Sequence, residues 1–202
     1  MMLKKTIAKL TQIGQIKKAL VLVSEMVTNE YQRQVLIGRI AWKLVEVGEI
    51  EDAIAFAQKL PRNFDKVSLY HRIAETLRQR GQKERAVALL NEALRLAFSL
   101  PEDVRKFVIA HIACSFARLG ETKKALEVFN LLGMSENTNF RFNFVFGLAE
   151  GGDFEMALKF ARQLPPERRN IAINSIAATA EHRGRKELAI KLRQEARTEQ
   201  KW

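Results

Sequence analysis

Apolar and polar positions alternate along this chain with a helical rather than an extended period. The stretch from Ile40 to Pro61, IAWKLVEVGEIEDAIAFAQKLP, shows the unit most clearly. It predicts a helix, a glycine turn, a second helix and a proline stop. The pattern then returns. Six glycines anchor it: Gly14, Gly48, Gly81, Gly120, Gly152 and Gly184, separated by 34, 33, 39, 32 and 32 residues. Five positions after each stands an alanine: Ala19, Ala53, Ala86, Ala125, Ala157 and Ala189. Ahead of the glycine an Ile-Ala pair recurs at 40–41, 73–74, 112–113 and 176–177, replaced by Phe144-Val145 in the fifth unit. In the first unit Ile7-Ala8 takes that place, one residue nearer its glycine.

Fixed self-similarity at this period marks a stacked array of helical pairs. The glycine lets the chain leave the first helix through a left-handed residue. The alanine, one turn into the second helix, lets two backbones approach; a larger side chain there would overpack the contact at about 1–3 kcal/mol. One pair cannot bury its own apolar stripe, but stacked pairs can.

The register predicts helices at about 3–13 and 15–27, 30–47 and 50–60, 64–80 and 82–99, 102–119 and 122–132, 137–150, then 166–183 and 185–199. The second helix of the third unit, KERAVALLNEALRLAFSL, is the longest of its kind and accounts for the 39-residue step. Phe140, Phe142, Phe144 and Phe146 alternate as a strand would, but the register places a helix there. On that helix the rings divide into two i,i+4 pairs on different faces. Phe140 and Phe144 fall on the core stripe; Phe142 and Phe146 point elsewhere.

The glycine with alanine five residues on resembles the tetratricopeptide repeat, a helical pair of 34 residues. The likeness spans nearly the whole chain. The early Trp-x-x-Leu-Gly-x-x-Tyr portion of that pattern is missing, and Pro61 and Pro165 stand nearer their glycines than in the family. The resemblance implies an all-α fold: a right-handed αα-superhelix of about six repeats of 32–39 residues, forming one domain over 1–202. It also implies protein or peptide binding in a concave groove lined by the first helix of each pair.

Aligning the first helices on their glycines gives the groove candidates. Ten and six residues before the glycine stand Gly38 and Trp42, His71 and Glu75, Ala110 and Cys114, Phe142 and Phe146, Asn174 and Ala178. Nine before it stand Arg39, Arg72, His111, Asn143 and Ser175. Arg39, Trp42, His71, Arg72, His111, Phe142, Asn143 and Phe146 are the expected partner-binding residues, since aromatic anchors beside arginines make binding hot spots. A second basic series, Arg33, Lys66, Arg105 and Arg169, lies fifteen before the glycines near the core stripe. It is expected to snorkel or to pair with acids such as Glu30, Asp65 and Glu102.

Charge changes this picture in one respect. The chain carries 34 Lys plus Arg against 23 Asp plus Glu, a formal net charge of +11. That suits an acidic protein or peptide, and keeps RNA as an alternative partner. Against sequence-specific RNA reading, the repeat length drifts and no polar pair recurs at fixed places. Self-association through the ends of the array is a third candidate.

The chemistry of catalysis is thin. No phosphate-cradling glycine loop, His-Glu-x-x-His or paired-cysteine spacing is present. His111 and Cys114 share a helical face, but nothing orients them as a dyad. The expectation is a non-enzymatic scaffold or adaptor, with no catalytic, cofactor or metal residues. One cysteine and the lack of an apolar run of about 18 residues point to a cytoplasmic protein with no membrane span. The lysines and glycine within residues 1–14 do not read as a signal peptide.

Overall fold

The computed structural model describes residues 15–133 and 137–199. Among the described residues there are eleven helices and no strand. They are α1 (Ile16–Met26), α2 (Glu30–Val47), α3 (Ile50–Lys59), α4 (Asn63–Gln79), α5 (Lys83–Ala97), α6 (Glu102–Arg118), α7 (Thr122–Asn130), α8 (Thr138–Gly151), α9 (Phe154–Ala161), α10 (Pro166–His182) and α11 (Lys186–Glu199). The expected helix at 3–13, with Ile7-Ala8 and Gly14, lies outside the described residues.

The reasons for these elements are local. Each described anchor glycine has positive φ, from 71° at Gly81 to 96° at Gly152, so each turn passes through the left-handed region. Asn29, Asn137 and Asp153 cap α2, α8 and α9, accepting from backbone N–H groups at 2.9–3.3 Å. Such caps satisfy donors that the first helical turn leaves open. Pro101 and Pro165 precede α6 and α10, where their missing N–H costs nothing.

The helices form two compact units, Met1–Leu100 and Pro101–Trp202. In the first, α2 packs on α3 and α4 on α5, while α2 also meets α4. In the second, α6 packs on α7, α8 on α9 and α10 on α11, while α6 meets α8 and α8 meets α10. Within each unit the first helices thus touch their own partners and one another in succession, as stacking requires. The six register alanines are at most 1% exposed, and the four Ile-Ala pairs with Phe144-Val145 are buried with them.

The phenylalanine run is helical. Phe144 is fully buried and stacks on Phe129 of α7 at 4.3 Å; Phe160 of α9 meets both edge-on, at 5.1 and 5.5 Å. Phe140 departs from the expectation of a core residue. It is half-buried, and its ring lies 6.5 Å from the exposed Phe107 of α6.

Two members of the basic series at minus fifteen reach backbone carbonyls. Arg33 Nε donates to the Val27 carbonyl at 3.0 Å, and Arg169 donates to the Leu164 carbonyl at 3.2–3.3 Å. Each guanidinium satisfies a carbonyl just beyond the preceding helix, where a cation also suits the helix dipole. Of the acids named as partners, Asp65 pairs with Arg62 and Glu102 with Lys106.

A second arginine device joins successive turns. Arg80, the residue before Gly81, donates to the Gly48 carbonyl at 3.4 Å. Arg183, the residue before Gly184, donates to the Glu150 carbonyl. A Cβ on Gly48 would stand 2.5 Å from Arg80 Nη2, and one on Gly152 would stand 2.7 Å from Arg183 Nη1. The guanidinium of one turn occupies the space that glycine leaves in the turn before it.

Candidate functional site

The eight expected partner-binding residues fall four in each unit, all on first helices. In the first unit, Arg39 and Trp42 stand one turn apart on α2, and His71 and Arg72 are adjacent on α4. Trp42 is 43% exposed, and the Arg72 guanidinium carbon lies 4.0 Å from the centre of its ring. A cation over an indole face at such a site contributes about 0.5–1 kcal/mol. Arg39 is exposed, and His71 is half-buried.

A recess of about 80 Å³ opens beside the indole, lined by Gly38, Ala41, Trp42, Leu60, Asp65, Ser68 and Leu69. Its floor has a simple origin. Gly38 has no side chain and finds nothing within 4 Å of where a Cβ would stand. Ala41 is small because it packs in the stack. Leu60 and Leu69 close the bottom from the core side.

Charge around this recess does not cancel. Glu46 pairs with Lys43 at 3.0 Å, and Arg62 binds both oxygens of Asp65 at 2.7 and 3.1 Å. Arg78 binds both oxygens of Glu75 at 2.6–3.1 Å. Lys66 faces Glu92. Arg39 and Arg72 have no carboxylate partner among the described residues. Two guanidinium charges are therefore left on the surface beside an exposed tryptophan.

In the second unit, Phe142 and Phe146 meet edge to face at 4.7 Å, both half-buried, and Arg168 of α10 reaches over Phe142 at 5.4 Å. Asn143 is exposed beside them. His111 is separate from this pair. Its ring lies 4.4 Å from that of Phe107. Desolvation beside Phe107, with Arg118 adding to it, holds the His111 pKa below its usual value although the residue is exposed.

Two positions of the expected stripe are closed rather than lining a groove. Ala110 and Cys114 are buried where α8 crosses α6. The cause is a pair of glycines on α8. A Cβ on Gly147 would stand 2.8 Å from the Cys114 carbonyl oxygen, and one on Gly151 would run into the Ala117 carbonyl. With no side chains there, the two backbones come into direct contact. Burial also pushes the Cys114 thiol up to about 11. That is opposite to the shift that activates a nucleophilic cysteine, and His111 turns toward Phe107 instead.

The stripe also omitted a position. Thirteen residues before the glycine stand Val35, Ser68, Phe107, Asn139 and Ile171, all of them exposed. Phe107 and Ile171 are 54% and 55% exposed. They lie one turn before the minus-nine residues, so the same register would have found them.

Among the described residues, no group of three or more His, Cys, Asp or Glu side chains could hold a metal ion. No helix among them is long and apolar enough to cross a membrane.

The tetratricopeptide repeat family matches residues 67–99, which cover most of α4 and all of α5. Solved structures of repeat proteins resemble the chain more broadly. BtubC from P. vanneervenii is 15% identical, with 99% of this chain and 91% of that one covered, at a TM-score of 0.48. A putative kinesin light chain with TPR-like repeats from Podosopora anserina is 16% identical, with 98% and 92% covered, at 0.47. YrrB, described as a TPR protein with an unusual peptide-binding site, is 18% identical, with 88% and 92% covered, at 0.44. At these identities and scores the likeness makes no statement about function. No curated protein matches the chain. A tetratricopeptide repeat is thus matched over 67–99, and turn glycines and buried alanines repeat through both units in an all-α array of helical pairs.

Proposed function

We propose that the chain is a non-enzymatic scaffold or adaptor that binds a protein or peptide segment along the exposed face of its first helices. One observation carries this reading: Arg39 and Arg72, which have no carboxylate partner among the described residues, beside the exposed Trp42. An indole with a guanidinium on its face offers a partner apolar area and directed charge together, which is how binding hot spots are composed. The net charge of +11 favours an acidic segment and speeds its encounter more than it tightens the complex. The repeat register runs through the junction at Leu100 and Pro101 and supports a single repeat domain over 1–202. A cytoplasmic setting fits a chain with one buried free thiol.

The test is a pull-down from native lysate with the wild-type chain and with a Trp42→Ala, Phe142→Ala double variant. Bound proteins are identified by mass spectrometry, and folding is checked by circular dichroism. The expected outcome is loss of the same set of proteins from the folded variant; undiminished recovery overturns the reading. Filter binding with RNA at about 50 and 200 mM salt separates the alternative, because phosphate contacts weaken steeply with salt. Light scattering across a concentration series does the same for self-association.

A further inference from the structure

We infer that the recess at Trp42 recognises an extended peptide by two side chains at once: a carboxylate on Arg72, and an aliphatic group in the cavity beside the indole. This inference rests on the peptide-binding reading above and gives that site a ligand chemistry.

The size of the cavity comes first. Small-molecule sites run to about 300–1,000 Å³. The recess holds about 80 Å³, room for one side chain and no more. Its wall of Ala41, Trp42, Leu60 and Leu69 is apolar. Of its polar lining, Asp65 has both oxygens occupied by Arg62, and Ser68 can turn its hydroxyl to solvent. An aliphatic residue such as Val, Ile or Leu fills this space without stranding a polar group.

The charge comes second. No acceptor bonds the Arg72 side chain among the described residues, and its contact with Trp42 is made to the ring face. The indole fixes the guanidinium in place and leaves its N–H donors open. Such a fork matches a carboxylate, which it can hold through two parallel bonds. Arg39, one turn before Trp42, adds a second charge with no carboxylate partner among the described residues. The described carboxylates of α2 and α4 each have their own cation, so an incoming acid meets little repulsion.

Spacing comes third. Arg72 and the cavity both border a single indole, so one ligand must present both groups on one side. An extended chain repeats its side every second residue, about 6.6 Å apart. The signature is therefore acid-x-aliphatic, in either direction.

Trp42 provides its own readout. The chain has two tryptophans. In a Trp202→Phe background, fluorescence reports Trp42 alone. Acetylated and amidated peptides of sequence Ala-Glu-Ala-Leu-Ala, Ala-Gln-Ala-Leu-Ala and Ala-Glu-Ala-Ser-Ala are titrated to about 5 mM, which reaches the weak affinities expected of so short a contact. The first is expected to change Trp42 emission saturably. Each of the other two is expected to bind about tenfold more weakly or worse, the effect of losing one charge-assisted or apolar contact. In the Arg72→Ala variant, the Glu and Gln peptides are expected to bind alike; Arg39→Ala, on the other helix, is expected to narrow their difference.

Equal affinity of the Glu and Gln peptides for the unmodified site overturns the inference, as does the absence of any saturable response. If that happens while the pull-down still depends on Trp42 and Phe142, the scaffold reading stands and only this ligand chemistry falls. If the pull-down fails too, both fall.

Discussion

Two contacts between successive first helices set the two units apart. Where α2 meets α4, side chains stand between the helices: Trp42, Leu69 and Arg72 border the crossing and a recess stays open. Where α6 meets α8, Gly147 and Gly151 bring backbone against backbone, and Ala110 and Cys114 are sealed. The difference lies at two register positions, five and one before the turn glycine. In α4 and α10 these positions and the residue that follows each helix give Thr76 with Arg80 and Thr179 with Arg183; in α8 they are both glycine. Arg80 and Arg183 bridge to the turn before by hydrogen bonds, while Thr76 and Thr179 donate to carbonyls of their own helices. Paired glycines let neighbouring helices collapse together. One fold thus makes open or closed faces by a choice at two sites.

The largest expected effect lies in the core of the unit that holds the closed contact. Phe144→Ala deletes the fully buried ring at the centre of the α7, α8 and α9 cluster, and is expected to cost about 3–5 kcal/mol in urea unfolding. Next comes Gly151→Ala. It introduces one methyl against the Ala117 carbonyl and is expected to cost about 1–3 kcal/mol, with more accessible Cys114 if α8 moves outward. The bridged turn gives the counterpart. Arg80→Ala removes an exposed bond to the Gly48 carbonyl, so its cost by the same measurement is expected at about 1 kcal/mol or less. If Arg80→Ala proved as costly as Gly151→Ala, the two contacts would not differ as described.

The smallest expected effect is a pH dependence confined to the second unit. The folded pKa of His111 lies below its unfolded value. The unfolded chain therefore takes up its proton first as pH falls. The contribution of His111 is present above about pH 6.5 and fades as pH drops through the folded value. Unfolding of His111→Gln is expected to show a flatter profile between about pH 7 and 5 than the parent chain. Identical profiles would mean that the ring gains nothing from its seat against Phe107.

The period was legible because it repeats. Glycine, alanine and the apolar pair before the glycine carry enough copies to fix helix ends within a residue or two, and they hold even where the phenylalanines mimic a strand. What separates one repeat from the next was not legible. Gly147 and Gly151 read in the sequence as ordinary helix-weakening residues; only their meeting with the Cys114 and Ala117 carbonyls shows why they are there. Arg33 and Arg169 read as basic residues near the core stripe; their bonds to carbonyls at the end of another helix were not visible there. Trp42 with Arg72, and Phe142 with Phe146, came together as aligned residues on neighbouring turns would. Phe107 and Ile171 were overlooked because an exposed apolar residue and a core residue look alike until the facing helix is placed.

The sealed crossing of α6 and α8 has a consequence for the lone thiol within it. A protonated, enclosed Cys114 can meet a water-borne alkylating reagent only during the moments when these two helices part. Its labelling rate is thus a clock for the breathing of this one contact, read from a single atom without adding any probe to the chain.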